Sequence, residues 1–209
     1  MKTILLSLFV IINLSLVLSS SEEGTIFNNF EVFSDSKCTS EPQGIIYSGI
    51  FNLCYDFLYS VLPFNFIIKP LENVQEAQFN IFSEENGCFH KGPYNSTVYK
   101  QGGCTLEDDS NNYYFHYTQS TELPQVPPNS IEFGFYDSNS NQVGLVYYLN
   151  GTIFSIDNGG YTTQYYCDNN VPTVQYCNYV SWTGRPTCQP NEITVAKNSR
   201  DLKMIPKCI

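Results

Sequence analysis

Residues 131–167 read IEFGFYDSNSNQVGLVYYLNGTIFSIDNGGYTTQYYC, and this stretch decides the fold class. It contains four segments rich in β-branched and aromatic residues, which favour strands, and turn residues separate them: 131–136, 143–149, 152–156 and 161–167. The Asn150-Gly151 pair is the strongest two-residue hairpin signal among them. The stretch therefore predicts four antiparallel strands joined in chain order as a meander, and the spacing favours a sandwich or barrel.

The composition of the whole chain points the same way. Charged residues make up 14% of the 209 residues and aromatic residues 15%, whereas alanine occurs only at Ala77 and Ala196. An average soluble domain has about 25% charged residues. Such a chain has enough apolar area to fold and few strong helix formers, so we expect an all-β, mainly antiparallel protein with little helix.

Shorter extended segments precede the meander. Residues 25–33 and 45–53 bracket a turn-rich segment, and three further candidates follow at 77–82, 97–100 and 113–118. The apolar run 55–68 has no clean period. It fits either a buried strand pair around Pro63 or one short helix before it.

The N-terminus has the pattern of a cleavable secretory signal peptide. A short basic start precedes the apolar run 4–18 and the small residues 19–21. We expect residues 1–19 to be removed and the protein to be secreted and extracellular. A signal anchor would need about 20 uninterrupted apolar residues. No later segment approaches that length, so we expect no stable membrane insertion.

Eight cysteines follow the leader, and an even number in a secreted chain predicts disulfides. The cysteine-free stretch 105–166 divides them into two groups of four, and we expect pairing within each group, with the partners left open. A metal site is disfavoured because no two cysteines have zinc-knuckle spacing. The residues concerned are Cys38, Cys54, Cys88, Cys104, Cys167, Cys177, Cys188 and Cys208.

A proline-rich connection predicts the division of the mature chain. Residues 123–129 contain Pro124, Pro127 and Pro128 and cannot donate a regular strand ladder. We expect an N-terminal cysteine-containing β lobe at 20–122 and a C-terminal β-meander lobe with a basic tail at 130–209.

Charge and sequons restrict the partners. The net charge is −10 and the chain has two arginines, so a nucleic-acid partner is not expected. The basic tail is either a solvated segment or a patch for an anionic partner. Asn95 and Asn150 begin glycosylation sequons, which would place both at the surface.

Familiar catalytic motifs are absent from the sequence. His90 and His116 are interpreted as structural, and acidic pairs that would suit a glycosidase arise by chance among 20 acidic residues. Asp137–Asn141 begins like a calcium-binding EF-hand loop, but Gln142 and Tyr148 stand where Gly and Glu are needed, which favours a hairpin turn. We expect no cofactor and no metal, and the sequence favours a binding protein over an enzyme.

Aromatic residues near the last cysteines form the candidate ligand site. Tyr176, Tyr179, Trp182 and Arg185 lie within or next to the segment between Cys177 and Cys188. Tyr and Trp rings stack on the apolar faces of sugars while polar edges meet the hydroxyls. The alternative is a small structural core around the tryptophan.

Two resemblances accompany this interpretation. The segments YTTQYYCD (161–168) and CNYVSWT (177–183), with Cys188, resemble the last strands of mannose-6-phosphate-receptor-homology domains, which implies a β-barrel binding mannose-type glycans. Where that family has an Arg before the Thr-rich strand and a Glu before the penultimate cysteine, this sequence has Tyr161 and Thr173–Tyr176.

The whole chain is similar to small secreted cysteine-containing proteins of unknown function from social amoebae. The similarity lies in the leader, in the composition rich in Asn, Ser, Ile and Tyr, and in the cysteines placed in or near predicted hairpins. That resemblance implies secretion and no assigned activity. We expect a secreted, disulfide-linked glycoprotein that binds extracellular glycans or proteins, with a secreted hydrolase such as a glycosidase as the alternative.

Overall fold

The computed structural model describes residues 24–56, 65–82, 88, 92–108, 113–156, 161–179, 186–198 and 201–209. These residues form sixteen β-strands and no helix, which confirms the all-β prediction. The strands of the first half of the chain are β1 (Phe27–Phe33), β2 (Ile45–Gly49), β3 (Cys54–Tyr55), β4 (Asn65–Pro70), β5 (Glu76–Phe82), β6 (Asn95–Lys100), β7 (Cys104–Asp108) and β8 (Tyr113–Ser120). Those of the second half are β9 (Ser130–Tyr136), β10 (Gln142–Leu149), β11 (Thr152–Ile156), β12 (Tyr161–Asp168), β13 (Val171–Tyr179), β14 (Pro186–Glu192), β15 (Ala196–Lys197) and β16 (Lys203–Cys208).

The described strands form three antiparallel sheets. The large sheet has eight strands in the order β15-β16-β9-β10-β2-β1-β8-β7. Two small sheets have four strands each, in the orders β3-β4-β5-β6 and β11-β12-β13-β14. No helix in this part of the chain is long and apolar enough to cross a membrane.

The topology is duplicated. In each half, two strands pair in the large sheet, the next four form a small sheet, and the last two return to the large sheet. Each strand of the first half has an equivalent in the second half eight strands later, so that β1 corresponds to β9 and β8 to β16. Exchanging every strand with its equivalent gives the strand order of the large sheet read in the opposite direction. The equivalent strands β2 and β10 meet antiparallel at the centre, and we call this contact the seam. The fold therefore has approximate two-fold symmetry about the seam.

One face of the large sheet forms the core with both small sheets. A single row across this face contains Pro206, Phe133, Val146, Tyr47, Phe30 and Tyr117, each opposite the next. In the first half, the rings of Phe30 and Phe79 of β5 lie 4.7 Å apart. In the second half, the rings of Tyr148 and Tyr165 of β12 are also 4.7 Å apart. Aromatic packing between the large sheet and a small sheet therefore recurs in both halves.

The seam has a notch that holds a tyrosine. Gly49 and Gly144 face each other across β2 and β10, and a Cβ on either would collide with the Tyr55 side chain. The buried Tyr55 hydroxyl donates a hydrogen bond to the Val143 carbonyl at 2.8 Å and accepts one from the Ile50 amide at 2.9 Å. Tyr55 belongs to β3, so this contact fixes the first small sheet to the middle of the large one.

The predicted meander is wrong at Asn150-Gly151. All four predicted strands exist, and β9 pairs with β10 and β11 with β12, but β10 and β11 lie in different sheets. The Gly151 amide donates to the Tyr165 carbonyl, and the Asn150 side chain accepts from the Cys167 amide. The pair therefore carries the chain across from one sheet to the other, because the partner of β10 on that side is β2.

The proline-rich connection lies on the outer face of the large sheet. Leu123 and Val126 pack against a cluster formed by Ile46, Leu145 and Tyr147. Proline suits such a segment because it needs no partner for an amide hydrogen. We call residues 121–129 the strap, since they link β8 on one side of the seam to β9 on the other. Strands from before and after the strap share one sheet through β2 and β10.

All eight cysteines form disulfides, and every bridge lies within one of the two predicted groups: Cys38–Cys104, Cys54–Cys88, Cys167–Cys208 and Cys177–Cys188. Each half therefore contains its own two bridges. The undecided run 55–68 contributes to a strand pair, because Tyr55 lies opposite Phe66; its residues 57–64 are outside the described part.

Candidate functional site

The predicted ligand residues lie on or after β13. Tyr176 and Tyr179 belong to this strand, whereas Trp182 and Arg185 fall outside the described residues. β13 pairs with β12 on one side and with β14 on the other. The strands β13 and β14 form a hairpin, which we call the cysteine hairpin.

A disulfide fixes the register of this hairpin. Cys177 and Cys188 lie directly opposite each other, with their Cα atoms 4.0 Å apart. This pair is one of seven in the ladder, which runs from Thr173 to Tyr179. The bridge and the ladder hold the side chains next to Cys177 in a fixed arrangement, which lowers the entropy that ligand binding would cost.

Tyr176 is an exposed aromatic residue of the cysteine hairpin. Its side chain is 43% exposed, although it stands on the same face as the buried Val174, two residues earlier. Tyr176 lies opposite Thr163 of β12 and Gln189 of β14. Gln189 is exposed whereas Thr163 is buried, so the row offers a ligand the Tyr176 ring and the Gln189 amide group.

Within the described strands β12, β13 and β14, the residues around Tyr176 are polar and uncharged. Across β12, β13 and β14 the charged residues are Asp168 and Glu192, and their partners Val171 and Thr173 lie at the start of β13. Asn178, which lies on the same face two residues further along β13, and Gln189 are exposed. An aromatic ring among neutral hydrogen-bonding groups suits a neutral polar ligand such as a carbohydrate.

The sequence identified Tyr176 but not Thr163 and Gln189, which lie opposite it on the neighbouring strands. Thr163 and Gln189 come from strands on either side of β13, and only the register brings them to Tyr176. An extended, strand-like sequence at 186–192 would have predicted that this segment pairs with β13. Pro186 and Pro190 hide this pattern, because proline is rare in strands.

The acidic loop at Asp137 is a hairpin turn between β9 and β10, as predicted. The carboxylate of Asp137 accepts hydrogen bonds from the amides of Asn139 at 2.9 Å and Asn141 at 2.8 Å. These bonds lower the pKa of Asp137, since they favour its charged form. In the equivalent loop, the Asp35 carboxylate accepts from the amides of Lys37 and Ser40. Both carboxylates therefore stabilise their own turns by accepting hydrogen bonds from backbone amides.

His116 lies on the outer face of the large sheet. It faces Glu31 across β1 and β8, and its ring lies edge-on to Phe33 at 6.1 Å between centroids. Partial burial raises the pKa of Glu31, while the charge of His116 acts in the opposite direction. His90 lies outside the described residues, and the hydrolase alternative stays a prediction.

The two sequons occupy different settings. Asn95 begins β6, where its side-chain oxygen accepts the Ser96 amide at 2.7 Å. Asn150 is exposed at the sheet crossing, and its amide group donates to the Asn129 side chain at 3.0 Å. Glycosylation of both positions stays a prediction. In the described part of the chain no three Asp, Glu, His or Cys residues form a group suited to a metal ion.

Four disulfides and three antiparallel sheets define a disulfide-linked all-β protein, a class typical of extracellular compartments. The chain belongs to the counting factor-associated protein A/B/C family, whose model matches residues 1–209. This membership is consistent with the expected resemblance to a family from social amoebae. No curated protein and no solved structure matches the chain. The resemblance to mannose-6-phosphate-receptor-homology domains gains no support from these comparisons.

Proposed function

We propose that this protein is a secreted glycoprotein that works as an extracellular binding module and recognises carbohydrate through the cysteine hairpin. The family description, counting factor-associated protein, names its members by association. A role in binding agrees with that description better than a role in catalysis does.

The observation that carries this proposal is the position of Tyr176. This residue is 43% exposed on a strand that is held by the Cys177–Cys188 bridge, and the exposed Gln189 lies opposite it on β14. A sugar ring stacks its C–H face on the tyrosine, while its hydroxyls exchange hydrogen bonds with the exposed amide groups of Gln189 and Asn178.

The sequence of the disulfide loop offers further candidate ligand residues. Tyr179 ends β13, and Trp182 and Arg185 follow within the same disulfide loop. Trp182 would supply a second stacking surface, and Arg185 would supply donors for hydroxyl or acidic groups on the glycan. A rigid hairpin with several weak contacts suits a multivalent surface glycan.

The test is a glycan array with the mature, oxidised protein, repeated with a chelator. We expect binding that survives chelation, and we expect Tyr176→Ala and Trp182→Ala each to reduce it by about tenfold or more, which corresponds to about 1.4 kcal/mol. Tyr94→Ala is the matched control, because Tyr94 is 67% exposed in the other half of the chain.

Three outcomes would overturn the proposal. One is an array without signal from a sample shown to be folded and oxidised. A second is binding that Tyr94→Ala reduces as much as Tyr176→Ala does. The third is release of reducing sugar from the bound glycan, which would favour the hydrolase alternative.

A further inference from the structure

The edges of the three sheets differ in how they resist pairing with another chain. An edge strand presents unpaired amide and carbonyl groups, and proteins block such edges with short strands, bulges, charges or prolines. The described edge strands are β15 and β7 in the large sheet, β3 and β6 in the first small sheet, and β11 and β14 in the second.

Four of these edges have a simple blocking feature. β3 and β15 contain two residues each. β7 has a register shift between Leu106 and Asp108 and carries acidic residues at its end. β6 ends at Lys100 and begins at the sequon residue Asn95.

The fifth edge, β14, is blocked by prolines at the outward positions. The Cα atoms of Cys177 and Cys188 are 4.0 Å apart, which marks a non-hydrogen-bonded pair, so the Cys188 amide points away from β13. Positions two residues away point the same way, and these are Pro186 and Pro190. Neither has an amide hydrogen to offer.

The remaining edge, β11, contains none of these features within the strand itself, and the sequon residue Asn150 lies two residues before its first residue, Thr152. Its sequence TIFSI contains no charge and no proline, and its five residues pair with β12 without a register shift. Ile153 is 56% exposed on this strand. The equivalent edge of the first half is β3, which has only two residues among those described. The two halves therefore differ at this position.

The alternation of hydrogen bonds identifies the free groups of β11. Cys177 lies opposite Thr162, which in turn lies opposite Ser155. Because adjacent ladders alternate, the amide and carbonyl groups of Ser155 point away from β12, and those of Ile153 do the same. Within the described residues, β11 is the last strand on this side of its sheet.

We propose that β11 pairs antiparallel with β11 of a second copy of this chain, so that two small sheets join into one eight-stranded sheet. With a two-fold axis at Phe154, Ile153 of each copy lies opposite Ser155 of the other, and both exchange backbone hydrogen bonds. A two-fold interface needs a self-complementary surface. An uncharged strand meets this need in a chain of net charge −10.

The seam within the chain already contains the same kind of strand pairing. There the equivalent strands β2 and β10 join two eight-stranded units antiparallel about an approximate two-fold axis. The proposed dimer repeats that contact between molecules, at a different edge and away from Tyr176, which lies two strands inward on β13. The inference is therefore independent of carbohydrate binding.

The test is sedimentation velocity of the mature, oxidised protein over a wide concentration range. We expect a reversible monomer–dimer equilibrium. Ile153→Lys should raise the dimer Kd about tenfold or more, because it places one positive charge on each side of the two-fold axis. Val98→Lys is the matched control, since Val98 is 48% exposed on the edge strand β6.

A second variant separates pairing from folding. Ser155→Pro removes one outward amide hydrogen and leaves the inward ladder to β12 intact, and it should also shift the equilibrium to monomer. Hydrogen exchange should show slower exchange in 152–156 as the concentration rises. A monomeric wild type at every concentration, or a dimer that Ile153→Lys and Val98→Lys weaken equally, overturns the proposal.

Discussion

Tyr47 and Val146 face each other across the seam, and they form the central pair of the large sheet. Each lies one strand away from a buried phenylalanine, Phe30 on one side and Phe133 on the other. The pair therefore stands where two equivalent halves of the chain meet, and the core continues through it from one half into the other.

This continuity predicts that the two halves unfold together. Phe30→Ala and Phe133→Ala each remove a fully buried ring, which typically costs about 3–5 kcal/mol. We expect one cooperative denaturation transition in both variants, shifted to lower denaturant by similar amounts. Denaturant titration followed by tyrosine fluorescence and far-UV circular dichroism checks this. Two separate transitions, each sensitive to one variant, would show independent lobes.

The glycine notch of the seam predicts a steric effect. Gly49→Ala places a methyl group against the Tyr55 hydroxyl and ring, and overpacking of this kind typically costs about 1–3 kcal/mol. Gly92→Ala is the control, because nothing lies within 4 Å of a Cβ at that position. The measurement is the free energy of unfolding of both variants. Equal stability of the two would contradict the notch.

The disulfides should differ in their contribution to stability. In the chain-entropy model the gain grows with the length of the closed loop. Cys38–Cys104 spans 66 residues and Cys177–Cys188 spans 11, so the paired Cys→Ser variant of the first should lose about 1.5 kcal/mol more than that of the second. Thermal melts of both double variants measure the difference, and an inverted order would reject the loop-length argument.

Glu31 should make stability depend on pH with a definite sign. Burial raises the pKa of Glu31 in the folded state, so the folded protein binds this proton more tightly than the unfolded chain does. The cost of the buried charge is present at neutral pH and disappears as the pH falls below the pKa of Glu31 in both states. His116, opposite Glu31, reduces this cost when it is charged. Burial raises the pKa of Tyr147, and the negative charge of Glu31 raises it further.

The corresponding experiment compares Glu31→Gln with wild type at neutral and acidic pH. The variant should melt higher than wild type at neutral pH, and the gap should narrow as the pH falls. Glu41→Gln, at an exposed loop residue, controls for the loss of one negative charge. A gap that widens on acidification would reverse the predicted sign.

Local sequence signals predicted the strands but not their partners. The segments 131–136, 143–149, 152–156 and 161–167 coincide closely with β9 to β12. The Asn150-Gly151 turn was assigned to a hairpin because a two-residue signal carries no information about β2, about a hundred residues earlier, which occupies the edge of β10. Pairing between distant strands depends on packing that a local pattern does not contain.

The duplication was also hidden from the sequence. Phe30 and Phe133 are equivalent in the fold, but their neighbours differ, and the disulfides of the two halves connect different strands. At the candidate site, Tyr176 was predicted from its residue type and its place in the cysteine loop. Thr163 and Gln189 were not, because register alone brings them to it.

Cys104 is the last of the four cysteines that form the two N-terminal bridges, and this order has a consequence for biosynthesis. In an oxidising compartment, the first half can complete its covalent cross-links while β9–β16 are still being translated. Until β10 has been synthesised, the edge of β2 that pairs with it lacks its partner strand. The strap, β9 and β10 are the next parts of the chain to be synthesised, so the partner of β2 follows the first half directly.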